Sequence, residues 1–476
     1  MQPDSSNPRN ASHPSEPSKP RDLGHPSDPS HQPRTLPRWQ RRVFAGAWIT
    51  YFAYYLCRYN MPMTKGHLGK TFGWDDAQVG MIFTALTVMY AVGQFVNGQL
   101  ADRFGSRLIA SIGVVGSVAM NLAVFAATAS ASTAAPGAST VLILVIVFWA
   151  ANGFFQAMGW SPMVRMLTHW FPVSSRGKVM GVMGASYQLG GAFSWALAFF
   201  LTGYFVQALG GDWRAVFWVP AVLFAVVGVF FFLLVRDTPE EVGLPTVVPD
   251  EEPGPGLAPG ARRTILQNVA ATLRNPYVWI VAFTFFLLDL NRYGFVNWLP
   301  SFLDERGAKA GSGLMAHFSE MIKRCIHPLA GSVGAVAAGW ATDRFFGGRR
   351  APVIAVLLGL LGIFSITFPF LDPHNSALMI LVVALIGFCT YGPHILMVGH
   401  AAQDFGRKSG AAGAAGFIDA FGYIGASAAG WGAGLLIESR GYDLTFVVFG
   451  SAALLAVVPI SLIWKVGPNT QRPAAR

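Results

Sequence analysis

Long runs of apolar residues alternate with short polar segments along most of this 476-residue chain. The hydrocarbon core of a bilayer is about 30 Å thick, and a helix needs about 20 apolar residues to cross it. Twelve stretches meet that requirement: 43–62, 79–100, 108–128, 139–163, 177–206, 214–235, 277–303, 319–341, 351–371, 376–400, 411–437 and 444–466. The pattern therefore predicts an all-α membrane protein with twelve transmembrane helices.

The twelve stretches fall into two sets of six, separated by a polar segment that contains acids and prolines. The first 40 residues have almost no large apolar side chains, so they cannot bury a core and are predicted to be disordered. The predicted organisation is a disordered cytoplasmic tail (1–40), an N-terminal six-helix half (41–235), a cytoplasmic linker (236–276), a C-terminal six-helix half (277–466) and a second cytoplasmic tail (467–476).

Composition and charge fit a bilayer environment. Hydrophobic residues make up 53% of the chain and charged residues 12%, whereas about 25% of a soluble domain is charged. The net charge of +10 could indicate nucleic-acid binding, but the basic residues sit in short clusters between apolar runs, and most of these clusters fall on one side. The loop at 305–318, with Arg306 and Lys309, lies on the opposite side, so the charge pattern is a bias and not a strict rule. We therefore expect a multi-pass protein of the cell (inner) membrane, with both termini cytoplasmic and no nucleic-acid partner.

An internal repeat links the two sets of helices. One loop motif follows the second stretch and again the eighth, with Gly98, Asp102, Arg103, Gly105 and Arg107 in the first copy and Gly339, Asp343 and Arg344 in the second. The two aspartates are 241 positions apart, and Arg58 and Arg292, which lie inside the first and seventh stretches, are 234 apart. Paired membrane halves with a site between them are typical of alternating-access carriers.

Arg58 and Arg292 are the most informative residues because each lies within an apolar stretch. A guanidinium there costs roughly 3 kcal/mol on insertion scales unless it is solvated or paired, and it cannot lose its proton to avoid the cost. Two arginines, one from each half, could converge on a doubly charged anion, and phosphate suits their planar, bidentate donors. The alternative is a pair of structural ion pairs with Asp289 and Asp419.

The repeated Gly-x-x-x-Asp-Arg-x-Gly-x-Arg loop is a signature of the major facilitator superfamily, which the chain resembles over residues 40–466. The resemblance implies two pseudo-symmetric six-helix halves. For the loop it implies a cytoplasmic conformational latch, in which Asp102 accepts hydrogen bonds from Arg103, Arg107 or a neighbouring helix end. Loop capping alone is the alternative, and neither interpretation indicates the substrate.

Five further segments resemble the organophosphate:phosphate antiporters, particularly the glycerol-3-phosphate and hexose-phosphate members: Tyr51–Asn60, Gly159–Pro162, Asn291–Pro300, Tyr391–Pro393 and Gly416–Tyr423. The resemblance implies that Arg58 and Arg292 bind the phosphate of the substrate. It also implies a set of tyrosines that line the substrate cavity: Tyr51, Tyr55, Tyr90, Tyr391 and Tyr423.

The chain departs from this family at three positions. Gln94 stands where a lysine is common, Tyr187 where the glycerol-3-phosphate carriers have a histidine, and Asp289 where they have a tyrosine. We keep Gln94 and Tyr187 as candidate substrate-binding residues. The departures predict a less positive site and leave the organic part of the substrate open.

Asp289 and Asp419 are the acids predicted to lie deep within the helices, and both are candidates for coupling transport to protons. Asp289 precedes Arg292 by one helical turn, so the two can share a helix face. We expect Asp289 to alternate between pairing with Arg292 and being protonated when anion binds. A permanent Asp289–Arg292 ion pair is the alternative.

For several other polar residues the sequence leaves two roles open. Lys323 and His327, with Glu320 and Arg324, begin the eighth stretch and are predicted to lie at the outer interface, with their charged groups reaching towards water. The alternative is that they add positive charge to the cavity. His394 and His400 could face the cavity or serve a structural role.

No enzymatic signature, Walker loop, metal site or cofactor motif occurs in the sequence, which favours a gradient-driven carrier over an enzyme or an ATP-driven pump. The leading hypothesis is a monomeric secondary transporter of glycerol phosphate or a sugar phosphate, exchanged for inorganic phosphate. A membrane sensor of external hexose phosphate is the second hypothesis. A proton-coupled carrier of another organic anion is the third.

Overall fold

The computed structural model of the chain describes residues 35–130, 139–247, 273–306, 314–372, 375–401 and 411–466. In these ranges the chain forms helices α1 (Leu36–Tyr54), α2 (Lys65–Phe72), α3 (Asp76–Phe104), α4 (Ser106–Ser130), α5 (Ser139–Gln156), α6 (Trp160–Trp170), α7 (Val173–Thr202), α8 (Tyr204–Leu209), α9 (Ala215–Leu234), α10 (Pro276–Arg306), α11 (Leu314–Phe346), α12 (Ala351–Thr367), α13 (Ser376–Ile395), α14 (Ala411–Ser427) and α15 (Ala433–Ser461). Two π-helical turns, Leu396–Ala401 and Ala428–Gly432, follow α13 and α14.

Each of the twelve predicted stretches contains helix, which confirms an all-α membrane fold. Within the described ranges, nine helical stretches are long and apolar enough to cross a membrane, and one of them, Phe417–Ser461, has 45 residues. At 1.5 Å per residue such a helix is about twice the bilayer core in length. Its break is at Gly441, whose φ of 80° is left-handed, so the stretch holds two of the predicted spans.

Helix α1 begins earlier than predicted, because the sequence placed residues up to 40 in the disordered tail whereas the helix begins at Leu36. Leu36 is buried. Trp39 stacks on Trp170 with ring centroids 6.1 Å apart, and the Gln40 Nε2 group donates a 2.7 Å hydrogen bond to the Trp170 carbonyl. These contacts order a segment whose polar composition alone predicts disorder. Most of the predicted linker (248–272) and the C-terminal tail lie outside the described residues.

Helix pairing repeats between the two halves. Helix α3 packs on α5, α4 on α9, and α1 on α7, and the corresponding pairs in the second half are α11 with α13, α12 with α15, and α10 with α14. Among the pairs that join the halves, α3 with α14 and α7 with α11 are related by the same symmetry. The pairing confirms the predicted pseudo-symmetric organisation.

Glycines at repeated positions allow the paired helices to approach closely. A Cβ at Gly190 would lie 2.4 Å from the Phe52 carbonyl oxygen, and one at Gly425 would lie 2.2 Å from that of Phe286. Gly425 is 235 positions after Gly190, and Phe286 is 234 after Phe52. The repeated glycines therefore mark matching backbone contacts within the two halves.

Described residues of the two halves make close contacts at the end of the bundle opposite the loops of Arg103 and Arg344. We call this end the far end, and the end with the two loops the basic end. At the far end the Thr84 hydroxyl donates to the Ser427 carbonyl (2.8 Å) and accepts from the Trp431 backbone N–H (2.8 Å). The π-helical turn makes these backbone groups available, since its hydrogen bonding departs from the α-helical pattern. At the basic ends of α7 and α11, by contrast, a Cβ at Gly181 or Gly339 would meet no described heavy atom within 4 Å.

Candidate functional site

Arg58 projects from a break in the first span. After α1 the backbone tightens into a 3-10 turn, Tyr55–Cys57, and Arg58 itself is not helical (φ −125°, ψ −46°). Two buried amides, Asn121 and Asn152, donate to the Cys57 carbonyl at 3.2 and 2.9 Å. The Cys57 carbonyl therefore keeps hydrogen-bond partners although the helix is interrupted there. The interruption places the Arg58 guanidinium, which is 4% exposed, among aromatic rings.

Arg58 belongs to the first half but its hydrogen bonds go to the second. Its Nη2 group donates to the Tyr293 hydroxyl at 2.7 Å, and a longer 3.4 Å contact reaches the Tyr423 hydroxyl. Its guanidinium carbon also lies 4.2 Å from the centroid of the Tyr90 ring, at cation–π distance. The two halves are therefore connected through this arginine.

Arg292 lies on α10 and is equally buried, with 4% exposure. Its Nη1 group is 3.2 Å from Asp289 Oδ1 and 2.9 Å from His394 Nε2. Because an arginine can only donate, His394 accepts through an unprotonated Nε2 in this arrangement. The predicted alternative of an Asp289–Arg292 ion pair thus occurs in this conformation.

Tyr293 brings the two arginines into one environment. Its hydroxyl accepts from Arg58, and its ring centroid lies 4.9 Å from the guanidinium carbon of Arg292. The Nε atoms of both arginines are buried and have no hydrogen-bond partner among the described atoms. An unpaired buried donor is costly, so these N–H groups are available to an anionic ligand.

Aromatic rings cover one side of the arginine pair. Four of these rings form one aromatic cluster. The centroid distances are 5.8 Å from Tyr51 to Tyr55, 6.0 Å from Tyr55 to Tyr187, 6.5 Å from Tyr187 to Trp160 and 5.0 Å from Trp160 to Tyr51. Tyr391 joins this cluster, since its ring lies 6.2 Å from that of Tyr187 and 5.3 Å from the guanidinium carbon of Arg292. The predicted tyrosines therefore lie around the same two arginines.

Gln94 and Asp419 connect the halves beside Tyr90. Gln94 Nε2 donates to Asp419 Oδ2 at 3.3 Å and to the Tyr90 hydroxyl at 3.2 Å, while the Ser161 hydroxyl donates to Gln94 Oε1 at 2.9 Å. Asp419 therefore accepts this hydrogen bond from the neutral amide of Gln94. The second predicted structural ion pair, between Asp419 and an arginine, is replaced by this contact.

Sequence reasoning did not select Tyr293, Trp160 or Ser161 as site residues. A signal for Tyr293 was present, because Arg58-Tyr59 and Arg292-Tyr293 are the same dipeptide 234 positions apart. Ser161 and Trp160 lie in a segment used for the family resemblance, but only the fold places them beside Gln94 and Tyr51. His394 proves to contact Arg292, and the side chain of His400 lies outside the described part.

The charged group that begins α11 differs from the prediction. Lys323, Arg324 and His327 are buried, with exposures of 4, 2 and 0%, so they do not reach towards water at an interface. Glu320 bonds Lys323 at 2.7 Å and Arg324 at 3.0 Å, and Arg324 also bonds Asp304. The two cations and two carboxylates balance, which allows burial. The group therefore adds no net charge to the arginine site.

The predicted latch has a partner that the sequence did not reveal. Asp237, after α9, accepts a 2.6 Å hydrogen bond from the Arg107 backbone N–H, and a Cβ at Gly105 (φ 90°) would lie 2.6 Å from its other oxygen. The Asp102 side chain lies outside the described part, as does any contact of Gly98, and Asp343 and Arg344 are exposed. Whether these residues act as a latch therefore stays a prediction.

Comparison with known proteins identifies the family. Residues 47–323 match the model of the Major Facilitator Superfamily. The chain is 30% identical over 445 residues to the glycerol-3-phosphate transporter of Bacillus subtilis, covering 91% of this chain and 94% of that protein. It is 28% identical to the membrane sensor protein UhpC of Escherichia coli, covering 87% and 90%.

A solved structure supports the fold. A bacterial homologue of the human lysosomal transporter Spinster superposes with a TM-score of 0.64 at 15% identity, covering 90% of this chain and 95% of that one. The repeated helix pairing, the two arginines from opposite halves and these similarities lead to one conclusion. The chain belongs to the Major Facilitator Superfamily, in the family of the organophosphate:phosphate antiporters.

Proposed function

We propose that this protein is a secondary carrier of a small phosphorylated metabolite, which it exchanges for inorganic phosphate by alternating access. The observation that carries the proposal is the meeting of Arg58 and Arg292 at Tyr293, each with an unpaired buried Nε–H. The resemblance of the whole chain to a glycerol-3-phosphate transporter supports the same substrate class. The protein would work in the cell membrane, with its basic end and both termini in the cytoplasm.

Phosphate binding and the movement of the halves are linked in this mechanism. A phosphate placed between the arginines accepts bidentate, charge-assisted hydrogen bonds from both. To do so it displaces contacts such as that between Arg58 and Tyr423, which is already long at 3.4 Å. Only a ligand whose contacts differ between two conformations can shift their populations, and an anion held by both halves meets that condition.

The described residues make close contacts between the halves at the far end, whereas at the basic end a Cβ at Gly181 or Gly339 would meet no described heavy atom within 4 Å. We infer that the site is accessible from the cytoplasm in this state. The loops that contain Gly98, Gly105 and Gly339 would then act as the conformational latch when the basic end closes. Asp237 would hold the first of these loops against the end of α9.

The proposal is tested by exchange of labelled phosphate in vesicles loaded with unlabelled phosphate. We expect wild-type protein to exchange phosphate, and Arg58→Lys or Arg292→Lys to reduce the rate by about 100-fold, because lysine keeps the charge but loses the planar fork. Arg440→Lys, at an exposed position on α15, is the matched control and should exchange normally. Normal exchange by either cavity variant would refute the proposal.

A sensor is the second candidate, favoured by the similarity to the membrane sensor protein UhpC. A sensor can keep the binding arginines while moving no substrate. Tight binding of a hexose phosphate by purified protein, without exchange in vesicles, would support this function. Robust exchange would exclude a purely sensory role.

Proton-coupled transport of another organic anion is the third candidate, favoured by the two carboxylates beside the arginines. Asp289 touches Arg292 directly, so a proton on Asp289 would free the guanidinium for an anion. In this version excess phosphate would fail to compete with the substrate. Competition by phosphate would exclude it.

A further inference from the structure

The charges around the arginine pair sum to zero. Arg58 and Arg292 carry two positive charges, and Asp289 and Asp419 carry two negative charges when ionised. Inorganic phosphate or a simple phosphate ester can bind the arginines, but it leaves the occupied site with a net negative charge when both carboxylates are ionised. Buried charge is costly unless it is paired, so the site as a whole suits a ligand that brings a positive charge along with its phosphate.

The two carboxylates are not equivalent. Asp289 is 1% exposed and lies against Arg292, so its charge is already balanced. Asp419 is only partly buried, and the contact described for it is a 3.3 Å hydrogen bond from the neutral amide of Gln94. A carboxylate has about four acceptor positions, so an ionised Asp419 keeps acceptor positions beyond the one used by Gln94, at the junction of the halves.

Two tyrosines lie close to Asp419 along the chain and through Gln94. Tyr423 follows Asp419 by one helical turn on α14, and its ring packs at a tilt against that of Tyr90, with centroids 4.5 Å apart. Gln94 bonds the Tyr90 hydroxyl and, through Ser161, reaches the segment that holds Trp160. A carboxylate with tyrosine rings nearby can bind an ammonium group, through ion pairing and cation–π attraction.

We propose that the transported molecule is zwitterionic: a phosphate ester or phosphonate that also carries an ammonium group. The arginines hold the phosphate, as in the proposed function on which this inference rests. Asp419, with Tyr90 and Tyr423, holds the ammonium group. The two charged groups of the ligand would then contact both halves, since Tyr90 lies on α3 and Asp419 on α14.

Position 94 makes the proposal specific to this chain. A glutamine there bonds Asp419 without cancelling its charge. A lysine at the same position would pair with Asp419 and compete with any ammonium ligand. The substitution Gln94→Lys should therefore reverse the substrate preference, whereas Asp419→Asn should only remove it.

The test uses two ligands that differ by one amine: O-phosphoethanolamine and ethyl phosphate. Each is titrated as a competitor of labelled phosphate binding to the purified full-length protein. We expect wild type to prefer phosphoethanolamine by about tenfold, Asp419→Asn to bring the two within about twofold, and Gln94→Lys to prefer ethyl phosphate. Because both ligands are measured on the same sample, a change in the amount of folded protein does not alter the ratio.

Glu438→Gln is the matched control, since it removes a carboxylate from an exposed position on α15. It should keep the wild-type ratio. Equal affinities in wild type, or an unchanged preference in Asp419→Asn, would overturn the inference while phosphate binding still supported the proposed function. If neither ligand competed and labelled phosphate did not bind, the proposed function itself would fail, and the inference with it.

Discussion

At the scale of single residues, phosphate binding depends on the hydrogen-bond partners of two guanidinium groups. Arg58 donates to a tyrosine of the other half, whereas Arg292 is held by Asp289 and His394. The two arginines thus differ in what a phosphate must displace. At Arg58 it replaces tyrosine hydroxyls, whereas at Arg292 it must compete with a carboxylate.

Asp289→Asn tests that competition. Protonation of Asp289 frees Arg292, so wild-type phosphate uptake should increase as the pH falls. The asparagine variant lacks the negative charge at every pH, so we expect several-fold tighter phosphate binding and a flatter pH profile. The affinity is measured by phosphate binding, and the pH profile by phosphate uptake over a range of pH. Asp289→Glu keeps a titrating group and serves as the control; a variant profile that matched wild type would refute the switch and leave a permanent ion pair.

The arginines could be predicted from sequence because an unpaired charge inside an apolar stretch demands a reason. The side chains that meet them could be predicted only where a family resemblance marked them. Tyr293 was missed because sequence cannot show which neighbouring ring an arginine will bond. Lys323 and Arg324 were misplaced because their burial also depends on Asp304, which reaches Arg324 from α10, whereas Glu320 lies on their own helix.

At the scale of helices, apolar length predicted twelve stretches that all contain helix, because the bilayer imposes one dimension on every span. The interruptions of the helices were harder to predict from the sequence. The 3-10 turn before Arg58 depends on the Asn121 and Asn152 amides, which reach the Cys57 carbonyl from α4 and α5. The sequence also missed the early start of α1, which depends on Trp39 meeting Trp170.

The glycine contacts predict a sharp difference between two substitutions. Gly425→Ala would place a Cβ 2.2 Å from the Phe286 carbonyl and force α14 away from α10. Overpacking of this kind costs about 1–3 kcal/mol. We expect a clear loss of thermal stability in detergent, measured by the temperature at which the monodisperse peak disappears. Gly359→Ala, with no described atom within 4 Å, is the control; equal melting of the two variants would contradict the packing.

A lysine contact between the halves predicts a shift in conformation. Lys65 pairs with Asp76 and donates a 2.6 Å hydrogen bond to the Tyr442 hydroxyl at the far end. Lys65→Met should weaken this closure. We expect a cysteine introduced at Ser427 to react several-fold faster with a membrane-impermeant thiol reagent added at the far end. The native cysteines are buried, and the exposed Lys70→Met on the same helix is the control.

An unchanged labelling rate in the Lys65→Met protein would show that this contact does not hold the far end closed. A faster rate in the Lys70→Met protein as well would indicate a general effect of charge on the reagent. Only an increase confined to the Lys65 variant supports a role in closure.

At the scale of the whole molecule, the two halves repeat both their sequence spacing and their helix pairing. A site shared by such halves senses their relative position, because every ligand contact that spans the junction is made or lost as they move. The repeat was visible in the sequence through paired aspartates, arginines and glycines. The closed far end was not visible, since a single sequence serves every conformation in the transport cycle.

The central claim is that Arg58 and Arg292 bind one and the same phosphate. Its most direct test is a double-mutant cycle on phosphate affinity, with wild type, Arg58→Lys, Arg292→Lys and the double variant. We expect each single variant to bind phosphate about 100-fold more weakly. The double variant should bind little worse than either single variant, because a phosphate that has lost one arginine no longer has contacts to both halves. Losses that simply multiply, or a single variant that binds normally, would contradict it.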